Sequence, residues 1–299
     1  MSFLNPVNEP VLRFSSTDAN APQISYNARV SGDVKAVLKA CLVTGYGSKE
    51  SAGWSIVNEV NNIAEFVSPS AGMSDYRLGI DDASTSSTTW YYQYQDARIN
   101  PINNSITKNI QSITTNSVNN GWQFLVTDLG FILVEIFHNP AINNQLARVM
   151  YWGKTKSAVV NESNNIAFWS VGYNAPIVTP SAFFGINVTN NKHAIVGEYN
   201  SLAFSSATLD MAAQSSLSLG GVVEIADSLY LRSGSILVAE QPGFLLKNVI
   251  ADTELFGIKD IVFENMPMLK VSIGQSFNTE DVLKDKARIL LIKLKNWEY

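Results

Sequence analysis

Charge is what this sequence has least of. Only 16% of its 299 residues are Asp, Glu, Lys or Arg, against roughly 25% in an ordinary soluble domain. The 21 Lys and Arg against 26 Asp and Glu leave a formal net charge of −5. A chain that grips nucleic acid through its phosphates needs a basic face, and none is legible. The densest basic stretch, "VLKDKARILLIKLKNWEY", interleaves lysines with apolar residues and reads as the polar side of a strand. Non-specific nucleic-acid binding is therefore disfavoured.

Cysteine and histidine are nearly absent as well. Cys41 stands alone, so no disulfide can form within the chain. It falls on the apolar side of a helical pattern, where a buried thiol is expected rather than a nucleophile. The two histidines, His138 in "FHNPA" and His193 in "NNKHAIV", sit at turn-like positions far apart. Neither lies in an HxH or HExxH spacing. No Gly-Lys-Ser/Thr phosphate loop and no GxSxG elbow appears. The expectation is a non-enzymatic protein with no catalytic residues, no cofactor and no metal. No apolar run approaches a membrane span. The most apolar segment, Leu129 to Phe137, contains Glu135 and reads as a buried strand. "MSFLNPVNEPVLRF" lacks a basic start followed by an apolar core, so no signal peptide is expected.

What fills the space is Asn, Ser and Thr, as in "NNSITKN" and "STSSTTW", set among short alternating apolar segments. Examples are "GWSIVNEV", "NIAEFVS", "YRLGIDD", "GWQFLVTDLGFILVEIF" and "ARILLIKLKNWEY". Period-two alternation between turn clusters predicts strands, and the lack of regular strand–helix alternation predicts antiparallel sheets. The fold class is thus mainly β, all-β or α+β, with sandwich-like sheets.

One helix is expected, over about 33–44. Val34, Val37, Leu38, Cys41 and Leu42 fall at i, i+3, i+4, i+7 and i+8. Ser31 or Asp33 could cap its start, and Gly45 or Gly47 could close its end. A short helix beginning at Pro140 and another over "TLDMAAQSSLSLGG" are weaker expectations. A boundary near 139–153 divides the chain into 1–138, with the helix, and 139–299, unless both halves form one domain.

Two constellations invite a chemical reading. Asp81 and Asp82 are adjacent, but neighbours on a strand face opposite ways, so a turn-forming role is favoured over a shared proton or a Ca²⁺ site. Asp96, Asp128 and Glu135 are too dispersed to define a hydrolase pair. Trp90, Tyr91, Tyr92 and Tyr94 form the densest aromatic cluster, with Trp90, Tyr92 and Tyr94 on one strand face. Such a face suits a core, an assembly interface or a glycan platform.

The segment from Ala21 to Asp82 resembles the N-terminal part of a group of tailed-phage virion structural proteins. That group's pattern is Ala-Pro, a small-residue stretch, a helix ending near Leu-(Asp/Lys)-Ala-Cys-Leu-Val-(Thr/Asp/Asn)-Gly-(Tyr/Phe)-Gly, often a Gly-Trp, then a Phe, and a strand close to Tyr-Leu-Arg-(Val/Ile)-Asp-Asp. The matching residues are Ala21–Pro22, Leu38 to Gly47, Gly53–Trp54, Phe66, Tyr76–Arg77 and Ile80–Asp82. In "DYRLGIDD" Arg precedes Leu, a small departure. The match covers about the first quarter to third of the chain and becomes thin beyond Asp96.

The resemblance implies a β-rich structural subunit of the virion; the tail, baseplate or head–tail junction is the expected place, with the capsid surface left open. It would be made in the host bacterial cytoplasm and carried into the virion, with copies of itself and other virion proteins as partners. The alternative is a receptor- or glycan-binding module of the same particle, with Trp90 to Tyr94 as the contact to a host surface glycan.

Overall fold

Alternating apolar and polar residues give strands almost throughout the described chain. The computed structural model describes residues 7–24, 30–73, 76–85, 87–94, 106–111, 121–139, 144–157, 166–172, 195–196, 208–210, 226–233, 236–248, 258–273 and 288–299. In chain order the elements begin with β1 (Asn8–Pro10), β2 (Leu12–Ser15), helix α1 (Asp33–Lys39) with a π-helical turn (Ala40–Thr44), β3 (Ser55–Val60) and β4 (Ile63–Val67). Next come a 3-10 turn (Ala71–Met73), β5 (Tyr76–Asp81), β6 (Ser87–Tyr94), β7 (Ile106–Gln111), β8 (Gly121–Thr127) and β9 (Gly130–Asn139). They are followed by β10 (Asn144–Lys154), β11 (Lys156–Ser157), β12 (Ile166–Gly172), β13 (Ile195–Val196) and β14 (Thr208–Asp210). The last are β15 (Ala226–Ser233), β16 (Ile236–Asn248), β17 (Ile258–Phe263), β18 (Met266–Ile273), β19 (Arg288–Lys293) and β20 (Asn296–Glu298). The chain is mainly β and its sheets are antiparallel, as the turn spacing predicts.

Two compact units emerge. One is Leu12–Glu135; the other combines Met1–Val11 with Ile136–Tyr299. The boundary near residue 135 falls inside β9.

In the unit Leu12–Glu135 a five-stranded sheet runs in the order β3-β4-β5-β6-β7. A two-residue turn, Asn61–Asn62, joins β3 to β4, and Asn61 adopts φ 52°, which Asn tolerates better than most residues. Register pairs Ala64 with Ile80 and Phe66 with Leu78, so these four share a face, and all four are buried. The apolar stripe of the helix is buried too: Val34, Val37, Leu38, Cys41 and Leu42. Burying each large apolar side chain contributes roughly 1.5–3 kcal/mol. In the same unit β2 pairs with β8. Phe14, Trp54, Phe124 and Phe131 form an aromatic cluster there, with Phe124 stacked on Phe131 at 4.8 Å.

In the other unit a sheet runs β14-β15-β16-β19-β18-β17, with β11 beside β16. Its core includes Met268, Ile289 and Leu291, against which Leu245, Ile261, Phe263 and Met266 pack. The β17–β18 hairpin turns on Glu264 (φ 48°) and Asn265 (φ 63°), two successive left-handed residues as a type I′ turn requires. β12 lies between β10 and β13, and β1 pairs with β20.

Two helical expectations fall only in part on described residues. From Asn144 the chain is strand β10, with Ala147 through Trp152 buried without interruption, a pattern that suits a strand covered on both faces; residues 140–143 lie outside the described residues. Thr208–Asp210 is strand β14, while the rest of "TLDMAAQSSLSLGG" lies outside the described residues.

Candidate functional site

The residues of the N-terminal motif are the richest constellation in the chain, and the structure shows how each is used. The helix start is held from a distance. Gly32 occupies the N-cap position and brings no side chain to the free amides. Asp82, fully buried, supplies the cap instead: its Oδ2 accepts from Val34 N–H at 2.8 Å and Lys35 N–H at 3.1 Å. Its Oδ1 accepts from the Thr88 hydroxyl at 3.0 Å.

This corrects two sequence expectations. Asp33 Oδ2 accepts from Val30 N–H and the Ser31 hydroxyl donates to the Ala83 carbonyl, so neither caps the helix. Of the aspartate pair only Asp81 serves a turn, accepting from Ala83 N–H at 3.1 Å. A capping side chain 48 positions downstream leaves no local sequence signal.

The helix end is equally specified. It widens into a π-type turn in which Gly45 N–H donates to the Ala40 carbonyl. Carbonyls that would otherwise lack a donor at a helix end are met by the returning chain. Ala52 N–H donates to Cys41 O and Trp54 N–H to Leu42 O, both at 2.9 Å. Gly45 adopts φ +69°, and a Cβ there would lie 2.4 Å from the Lys49 carbonyl oxygen. That explains the first glycine of "TGYG". Cys41 is buried and its thiol is pushed up, by burial first and by the Asp18 charge second, which disfavours the thiolate a nucleophile needs.

Tyr46 organises the loop beyond the helix. Its hydroxyl donates to Asp18 Oδ2 at 2.8 Å, and the same carboxylate oxygen accepts from Ser15 N–H at 2.8 Å. Burial and that hydrogen bond keep the phenol protonated. The ring meets Phe14 and Trp122 at 5.8 and 6.3 Å. Trp122 in turn donates its indole N–H to the Pro22 carbonyl at 2.9 Å, and Trp54 donates to the Thr127 carbonyl at 3.3 Å. The Ala-Pro, Tyr-Gly, Gly-Trp and Asp-Asp pieces of the motif are thus fixed by contacts with residues distant in sequence. The described contacts give every one of them a folding role.

The aromatic cluster occupies β6, an interior strand. Trp90, Tyr91, Tyr92 and Tyr94 lie opposite Ile80, Gly79, Leu78 and Tyr76 of β5, and the first three also pair with β7. The backbone of these three is engaged on both sides; the side chains of all four lie outside the described residues. His193 and Asp96 lie outside the described residues as well. Among the described residues no group of three His, Cys, Asp or Glu is placed to hold a metal ion.

Surfaces available to a partner lie at sheet edges. β3 ends the five-stranded sheet and leaves Val57 47% and Val60 56% exposed. A register shift between Ile56 and Asn58 bulges it at Val57. β17 ends the other sheet with Val262 74% exposed beside exposed Lys259 and Asp260. Bulges and charges are the usual guards of a free edge.

On β3, Glu59 receives Lys39 at 2.8 Å and Lys35 at 2.9 Å. These bonds hold its carboxyl below the ordinary value of 4.5. A depressed carboxyl stabilises the fold above its unfolded pKa, and the gain is lost as pH falls through the folded value. The group is solvated, so the effect is small. Glu59→Gln is expected to cost under about 1 kcal/mol at pH 7. That difference in urea midpoint from the parent should shrink as the pH falls below the ordinary carboxylate range and vanish once the folded carboxyl is fully protonated. A gap that persists there would contradict the ion-pair assignment.

The fold is that of a mainly β protein of antiparallel sheets, with one short helix among the described residues. No family model, curated protein or solved structure matches the chain.

Proposed function

We propose that this protein is a non-enzymatic structural subunit of a bacteriophage virion, placed in the tail, baseplate or head–tail junction and acting through multi-copy assembly. The observation that carries the reading is the use of the motif itself. The residues that resemble the virion group are spent on a helix cap, a helix stop and aromatic anchoring. A motif that specifies a scaffold supports a structural role. The low charge fraction supports it further, because the core of a subunit interface is depleted of charged residues. Repeated heterologous contacts close into a ring when the rotation between copies permits.

Two measurements test this. Mass spectrometry of purified particles should find the protein in stoichiometric amounts, and electron microscopy of the recombinant chain should show closed multimers. Absence from the particle, together with a protein that stays a single chain at high concentration, would end the reading.

A further inference from the structure

Two sheet edges carry charges of opposite balance. β3 ends the five-stranded sheet and β17 ends a sheet of the other unit. Both leave apolar side chains in water, Val57 and Val60 on β3 and Val262 on β17. On β3, Glu59 is flanked by Lys35 and Lys39, two cations against one anion. β17 and its turn expose Lys259, Asp260 and Glu264, one cation against two anions. Lys259 makes no ion pair among the described residues.

Like edges do not fit one another. Setting β3 against β3 of a second copy brings two lysine-flanked clusters together. An antiparallel β17–β17 pair centred on Lys259 or Asp260 sets like charges directly opposite, which is destabilising. Centred on Ile261 it sets each charge against an apolar residue, and centred on Val262 it sets Asp260 against Glu264. Unlike edges do fit. With β3 and β17 antiparallel and Glu59 opposite Lys259, Val60 meets Ile258 and Asn58 meets Asp260. All three pairs use the part of β3 beyond its bulge at Val57, and the ladder is as long as that of β1 on β20. At its far end the exposed Val262 comes alongside Ile56 and the bulged Val57.

We propose that β3 of one copy receives β17 of the next copy as an added antiparallel strand, with Glu59 opposite Lys259. The inference rests on the multi-copy reading above and gives that reading its contact. Such a contact is heterologous, the kind that repeats from copy to copy and closes into a ring. Main-chain hydrogen bonds supply the affinity of an added strand, and its side chains supply the register. Edge charges guard against unwanted pairing; here the charges that bar like edges admit the unlike one.

A cysteine pair reads out the arrangement. Directly opposed antiparallel residues have Cα atoms about 4.5–5.5 Å apart, within disulfide reach. Val60→Cys and Ile258→Cys, placed together in the full chain, are oxidised in the assembled state and run on a denaturing, non-reducing gel. Each single variant and the parent, with only buried Cys41, are run beside them. Light scattering gives the native mass of each sample. The expected result is covalent multimers from the double variant and none from either single variant. Adding Lys259→Glu should cut their yield severalfold, because it sets two carboxylates opposite each other, while Lys259→Arg should keep it. Asn58→Cys with Asp260→Cys repeats the reading at the other pair of the same register. Multimers from one single variant alone would show that like edges meet, and an unchanged yield with Lys259→Glu would overturn the register. If neither pair cross-links between chains in a sample whose native mass is a multiple, the edge contact is overturned and the assembly reading stands. A native mass of one chain would overturn both.

Discussion

Asp82→Ala is expected to lower stability by about 2–4 kcal/mol, far more than an ordinary change at a loop aspartate. Loss of a cap costs about 1 kcal/mol, and a buried donor left without a partner adds roughly 1–3 kcal/mol. Here the Val34 and Lys35 amides both donate to one carboxylate that solvent does not reach. Water cannot easily replace it. Asp82→Asn retains one oxygen to accept from the helix amides, so it should recover part of the loss. Urea unfolding gives the magnitude, and hydrogen exchange locates it: amides of α1 should lose protection first. A loss under about 1 kcal/mol, or unchanged exchange at Val34 and Lys35, would show that the helix does not depend on this cap.

Gly243→Ala is expected to cost about 3 kcal/mol or more, although it adds a single methyl group. Gly243 adopts φ +79°, and a Cβ there would sit 2.6 to 2.8 Å from three atoms of the Trp297 indole. The indole has little room to retreat, since it is buried and its N–H is held by Lys293 O. Left-handed strain at a non-glycine residue adds to the clash. The double variant Gly243→Ala with Trp297→Ala removes the clash but keeps the strain. Its cost should fall well short of the sum of the two single changes. Simple additivity would mean that the glycine is needed for its backbone conformation alone.

The two sites differ in how visible they are beforehand. At Gly243 the sequence carries a warning: "AEQPGFLL" places Pro242 and Gly243 inside an otherwise apolar strand, a pattern that signals a bulge or a close approach. The register between β15 and β16 does jump there, from Ser228 opposite Leu245 to Tyr230 opposite Glu240. The identity of the approaching group, an indole from the last strand, has no local trace. At Asp82 even the warning is missing. A doubled aspartate after a strand looks like a turn, and Asp81 does serve one.

Period and spacing determined the local matters. Five apolar residues at helical intervals define the buried stripe of α1, since a helix has only one way to bring them onto one face. Alternating segments define strands, and Asn61 and Asn265 supply left-handed residues at two hairpin turns, whereas the left-handed Glu264 carries no such signal. The single cysteine on that stripe is buried where the pattern places it.

Only the tertiary structure decided the pairings across long sequence distances. These include the cap of α1 by Asp82, the clasp of β1 on β20, the docking of Trp297 on Gly243, and the strand β10 from Asn144, where part of a helix was expected. The physical reason is common to all four. Short-range periodicity reports which side of an element is apolar. Hydrogen bonds and contacts between distant residues depend on which elements meet, and that is set by the burial of the whole core at once.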